Sequence, residues 1–115
     1  MFNFEKLNVY KEALVFVDWV YSIISKWPRS EVFALADQLK RAATSIVLNI
    51  AEGSSRTRAD FKHFLSTARG SVYECIAILT LASKRKYITK TEFEYGYEFG
   101  NKLARMLTAL KNSLK

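Results

Sequence analysis

The chain has 115 residues, half of them apolar, which is enough for one continuous core and too little for two, so a single domain spanning 1–115 is expected. Residues 1–8 lack the apolar run of a signal peptide, and the longest apolar runs, such as Ala13 to Val17, fall far short of a membrane span. The lone Cys75 excludes an internal disulfide and reads as core filler, so a cytosolic protein with no membrane role is expected.

Eighteen Lys and Arg against eleven Asp and Glu give a formal net charge of +7. Such an excess points to an acidic partner or serves solubility alone, and composition does not choose between the two.

The first periodic segment runs from Asn8, a plausible N-cap, to Trp27, with Val9, Ala13, Phe16, Val20, Ile23, Ile24 and Trp27 on one face. Pro28 disfavours helix at the residue before it, and Ser30 suits the cap of a second helix. That helix carries Val32, Leu35, Ala36, Leu39, Ala42, Ala43, Ile46, Val47 and Ile50 on one side and meets Gly53, a residue suited to a left-handed C-terminal cap.

After Ser54-Ser55-Arg56-Thr57 a third helix aligns Phe61, Phe64, Leu65, Ala68, Val72, Cys75, Ile76, Leu79 and Ala82, and ends in Lys84-Arg85-Lys86. Cations suit that negative terminus. Thr89-Lys90-Thr91-Glu92 has the form of a capping box and opens a fourth helix through Phe99, Leu103, Met106, Leu107, Leu110 and Leu114. Connections this short force antiparallel neighbours, so the fold class is all-α, an up-down-up-down antiparallel four-helix bundle.

Two helices carry more apolar surface than one core needs. On the fourth, Gly96, Gly100 and Ala104 recur every four residues as a flat ridge suited to close backbone approach. On the first, Val15 and Trp19 project among polar residues on one flank, and Tyr10, Leu14 and Tyr21 line the other. Val15, Trp19, Gly96 and Gly100 are therefore the candidate oligomer interface, against the alternative that a neighbouring helix of the same bundle covers them.

Beside its core face the second helix aligns Gln38, Arg41, Ser45, Asn49 and Glu52, and the third aligns Asp60, Thr67, Ser71 and Glu74. The two stripes suit either a hydrogen-bonded structural network or a recognition groove, with Arg41 and Glu74 as candidate partners. Glu52 and Glu74 are the carboxylates to weigh for metal or acid–base chemistry. A di-iron bundle, however, needs Glu-x-x-His motifs, and the only histidine, His63, follows no such glutamate. No nucleophile elbow and no phosphate loop are present either. A non-enzyme without catalytic residues, metal or cofactor is expected.

In an antiparallel bundle the connection between helices two and three lies beside both termini, which gathers Lys6, Lys11, Arg56, Arg58, Lys62, Lys111 and Lys115 at one pole. The opposite pole gathers Lys26, Arg29, Lys84, Arg85, Lys86 and Lys90, with Tyr87 available to stack on a base. Arg56, Arg58, Lys62, Lys84, Arg85 and Lys86 are the candidate nucleic-acid contacts, suited to phosphates rather than to base sequence, so RNA and DNA are equally admissible.

Gln38-Leu39-Lys40-Arg41-Ala42-Ala43, Ser45-Ile46 and Asn49-Ile50-Ala51-Glu52-Gly53 resemble the four-helix bundle proteins encoded by 23S rRNA intervening sequences. So do Trp27-Pro28 with Glu31, Phe61 and Phe64, and Ala68-Arg69-Gly70-Ser71 with Glu74. The resemblance covers nearly the whole chain. It implies a homo-oligomer, with a pentameric ring as the expected assembly, and marks Arg41, Ser45, Asn49, Glu52, Ser71 and Glu74 as signature positions. That family is similar to the accessory variability determinant protein of diversity-generating retroelements, which implies a nucleic-acid or reverse-transcriptase partner.

Charge placement and resemblance together lead to the expectation of a non-enzymatic homo-oligomer that binds RNA or other structured nucleic acid through its basic ends. The alternative is a protein-interaction adaptor that uses the aromatic flanks of the first helix.

Overall fold

A 3-10 turn over Asn3–Lys6 leads into α1 (Asn8–Ile24), and a second such turn over Arg29–Glu31 precedes α2 (Leu35–Ser54), α3 (Arg58–Lys84) and α4 (Lys90–Ser113). The computed structural model describes residues 1–31, without the Glu31 side chain, and residues 34–114. Val32 and Lys115, read above as a core residue and a basic-pole residue, lie outside the described residues. Among the described residues there is no strand, and no helix is long and apolar enough to cross a membrane.

Side chains fix two of the helix starts. The Thr57 hydroxyl accepts the Asp60 N–H at 3.2 Å and opens α3. At α4 the expected capping box is complete: Thr89 Oγ1 accepts the Glu92 N–H at 3.0 Å, and Glu92 Oε1 accepts the Thr89 N–H at 2.9 Å. The Thr89 N–H, followed by the Lys26 ammonium, holds the Glu92 carboxyl below its ordinary range despite some desolvation.

The helix ends depart from the expected positions. α1 stops at Ile24 rather than Trp27, because the N–H groups of Lys26 and Trp27 turn back to the carbonyls of Ile23 and Ile24 ahead of Pro28. Trp27 is nevertheless buried. At the start of α1 it is Leu7 that holds the cap position, not Asn8.

Gly53 is not a left-handed cap either, since no glycine here has positive φ. It lies inside α2, where a Cβ would meet Phe64 Cβ at 2.6 Å and Phe61 Cδ1 at 2.9 Å. The left-handed residue is Lys86, with φ 62. Around it the Lys86 N–H bonds the Ser83 carbonyl and the Tyr87 N–H bonds the Ala82 carbonyl, a Schellman ending for α3.

The four helices pack as a ring of neighbours in chain order, antiparallel and elongated to 44 × 22 × 21 Å. Phe16, Leu39, Ile46, Ile50, Leu65, Leu79, Leu103 and Leu107 are fully buried at the centre, together with Cys75. Burial, with a smaller contribution from the Glu74 charge, pushes the Cys75 thiol pKa up to about 12.

α2 lies closely on α3 through small residues such as Ser45, Gly53 and Ser71, with Ala42 one turn before Ser45, whereas α1 and α4 meet through rings. Phe16 and Phe99 have centroids 5.3 Å apart, and Trp19 and Tyr95 5.0 Å apart. The ion pairs Lys102–Glu12 at 3.1 Å and Lys26–Glu92 at 3.2 Å flank this seam.

The glycine ridge of α4 faces this interior. A Cβ on Gly96 would meet the Trp19 ring at 2.6 Å and Leu79 Cδ1 at 2.8 Å, and one on Gly100 would meet Ile76 Cδ1 at 2.6 Å. Both glycines are buried within the protomer. The expectation that the two glycines form a surface for another copy is therefore corrected: Trp19 of α1 and Leu79 and Ile76 of α3 pack over them within the same chain. Val15, 52% exposed, stays on the surface, and Trp19 is half-buried.

Candidate nucleic-acid interface

The antiparallel arrangement brings the two expected sets of cations to opposite ends. At the pole formed by the α2–α3 connection and both termini, Arg56 and Arg58 are exposed and Lys62 is half-buried. Arg56 is drawn in two directions: its guanidinium pairs with Glu52 at 2.7 Å and lies 5.6 Å from the Phe64 ring centroid. Lys111, from the last turn of α4, donates to Ser66 Oγ at 2.7 Å and adds a cation on the same side.

At the other pole Lys84, Arg85 and Lys86 stand exposed in succession through the Schellman turn, and none forms an ion pair among the described residues. Lys26 nearby is engaged by Glu92. Tyr87, expected to be available for stacking on a base, is instead half-buried with its ring 5.6 Å from that of Trp27. The turn that exposes Lys86 tucks the next side chain inward.

The polar stripes meet only at their centre. Asn49 Nδ2 donates to Ser45 Oγ at 2.9 Å, the Ser45 and Ser71 hydroxyls lie 2.9 Å apart, and Ser71 Oγ donates to the Thr67 carbonyl at 3.3 Å. Every member is satisfied if the donors run in that order from α2 to α3. With Ser71 only 9% exposed, this is a structural tie across the seam.

Arg41 and Glu74 lie at about the same level beyond that tie, but Arg41 pairs with Asp37 one turn away at 3.5 Å, and Glu74 and Gln38 are exposed. From the Ser45–Ser71 contact, Glu52 is about 10 Å along α2 and Glu74 about 4 Å along α3 in the opposite direction, at 1.5 Å per residue. The two carboxylates do not converge. No group of three His, Cys, Asp or Glu side chains comes together among the described residues.

A groove of about 720 Å³, not apparent from the sequence, lies between the outer faces of α3 and α4, lined among others by Arg69, Tyr73, Tyr97, Asn101 and Arg105. Its signals were present as spacings: Arg69 and Tyr73 are four residues apart, and Tyr97, Asn101 and Arg105 recur every four.

These features define an antiparallel four-helix bundle with basic residues gathered at both poles and a hydrogen-bonded tie between its two central helices. The chain belongs to the 23S rRNA-intervening sequence protein family, whose model matches residues 5–109. Among solved structures it is similar to a protein of unknown function from the S23 ribosomal protein family of Bacteroides thetaiotaomicron. That likeness has 24% identity, covers 90% of this chain and 95% of the other, and has a TM-score of 0.83, so it bears on the fold alone. Comparison with curated proteins finds no match.

Proposed function

We propose that the protein is a non-enzymatic homo-oligomeric bundle that binds RNA or other structured nucleic acid through its basic poles. The observation that carries this reading is the Lys84–Arg85–Lys86 turn, three successive exposed cations with no carboxylate paired to them among the described residues. Lys86 adopts a left-handed backbone that glycine enters at lower cost, and a lysine there keeps a third charge on the turn.

Cations so placed suit phosphates, without base readout and with a steep dependence on salt. Arg56, Arg58 and Lys62 provide a second basic footing at the other pole. A ring of five copies, the assembly implied by the sequence resemblance, would set five such patches side by side and raise affinity through multivalency. Val15, Leu14 and Tyr21 on α1 are exposed and offer apolar surface for contact between copies. In this reading the protein works in the cytosol without metal or cofactor.

The test is a fluorescence-anisotropy titration of labelled structured RNA and duplex DNA at two salt concentrations. Wild type is compared with Lys84→Glu/Arg85→Glu/Lys86→Glu and Arg56→Glu/Arg58→Glu variants of unchanged oligomeric mass. Salt-sensitive binding that weakens at least tenfold in either variant is expected, and no binding at low salt would discard the reading.

A second reading is favoured by Leu48, 60% exposed on α2, together with Leu14, Val15 and Tyr21: an adaptor for another polypeptide. Capture of a protein partner that survives nuclease and high salt would replace the first reading with this one.

A further inference from the structure

The groove between α3 and α4 is graded along its length. Toward the Lys84–Lys86 pole its walls are the rings of Tyr73, 57% exposed, and Tyr97, 49% exposed, above a floor of Val72, Ile76 and Gly100. The buried Gly100 lets Ile76 lie close against α4, where a Cβ would stand 2.6 Å from Ile76 Cδ1. Toward the chain termini the lining turns polar and cationic, with Arg69 on α3 level with Arg105 on α4.

Arg69 is pre-set. Its Nη2 donates to Tyr73 Oη at 2.7 Å, and its guanidinium lies over the Tyr73 ring, 4.8 Å from the centroid, so the ring holds the cation in place at the groove wall. Arg105 is exposed and has no carboxylate partner among the described residues. A further cleft of about 340 Å³ shares Arg69, Thr108 and Asn112 with the groove and continues to Lys111 and Ser66. Among the described residues no acidic side chain lines either hollow.

We propose that this groove is a nucleotide-binding site, with the base against Tyr73 and Tyr97 and the phosphate held by Arg69 and Arg105. Exposed rings that run directly into two arginines match an anion that carries a flat π-face, and a simple inorganic or aliphatic anion would leave the tyrosines unused. The volume lies within the range of small-ligand sites, about 300–1,000 Å³. Stacking accepts any base, because every base presents a π-face, and the amide of Asn101 adds a donor and an acceptor at its edge.

The ligand is either a free nucleotide or one unit of a single strand. The cleft leading to Lys111 gives a strand a path for its next phosphate. The inference stands beside the reading of the basic poles, since a mononucleotide would satisfy the groove without touching either pole.

The experiment uses the full chain with two probes at low salt: AMP and UMP by calorimetry, and a fluorescent single-stranded hexanucleotide by anisotropy. Binding of the mononucleotides and the hexanucleotide alike assigns a free-nucleotide site, and binding of the hexanucleotide alone assigns a strand site. In both cases Tyr97→Ala and Arg105→Glu, on exposed side chains, should weaken binding at least tenfold with helical content unchanged.

An independent arm needs no variant: a hexanucleotide carrying 5-iodouracil should crosslink under ultraviolet light to Tyr73 or Tyr97. No binding of either probe, crosslinks confined to Lys84–Lys86 or Arg56–Arg58, or wild-type affinity in both variants would overturn the proposal. So would a fall in oligomeric mass in Arg105→Glu, because a second copy would then be the occupant. Failure of the pole reading is measured separately, on structured RNA and duplex DNA.

Discussion

The seam between α2 and α3 and the seam between α1 and α4 close the same bundle by opposite means. The first is narrow: Gly53 and the Ser45–Ser71 contact let two backbones approach, and a polar tie fixes their register. The second is wide and is filled by Phe16, Trp19, Tyr95 and Phe99, with Gly96 as the recess for one ring. A narrow seam has no spare room because the next atom belongs to a backbone, whereas a wide seam of rings yields by rotating one of them.

The sharpest break of that comparison is Gly53→Ala. The new methyl would stand 2.6 Å from Phe64 Cβ, an atom that moves only with α3 itself, so a loss of about 3 kcal/mol is expected in urea unfolding, net of the alanine helix preference. Gly96→Ala should cost less, about 1–2 kcal/mol, because its obstacles are the rim of the half-buried Trp19 ring and the end of Leu79. Equal losses at the two positions would remove the distinction between the seams.

Ser45→Ala tests the tie. It removes one hydroxyl and leaves Ser71 its bond to Thr67, so about 1 kcal/mol is expected from the same measurement. Gly70 supplies the control on the outer face of α3: a Cβ there meets nothing within 4 Å, so Gly70→Ala should stabilise by about 0.5–1 kcal/mol.

The smallest effect is at the wide seam's rim. The Glu92 carboxyl is held below its ordinary range, so its charge stabilises the fold above the unfolded carboxylate range and ceases to do so as pH falls through the lowered folded value. Glu92→Gln should cost about 0.5 kcal/mol at neutral pH, and its urea midpoint should converge with that of wild type once the pH has fallen below the lowered folded value.

Much of this architecture was legible in the sequence because it is written in local periods. The apolar stripes gave the buried faces, from Val9 to Trp27 and from Leu39 to Ile50, and Thr89 with Glu92 gave a cap that depends on four consecutive residues. The glycines were not legible in the same way. A four-residue spacing puts Gly96 and Gly100 on one face of α4 without saying which neighbour faces them, and Gly53 near a helix end has the appearance of a cap until the two phenylalanines are brought over it.

Arg41 illustrates a related gap. Spacing set it level with Glu74, yet Asp37 on its own helix is the nearer carboxylate. The α3–α4 groove was less accessible still, because Tyr73 and Tyr97 become neighbours only through the register of two helices, and Gly100 contributes to that register from inside the bundle.

The sealed position of Cys75 has an experimental consequence. A thiol that is fully buried and has its pKa pushed up to about 12 offers no thiolate to an alkylating reagent while α3 stays docked. Each labelled molecule therefore records an opening of α3, and the rate of labelling at a fixed reagent concentration is a clock for that motion, set by the wild-type sequence without an introduced probe.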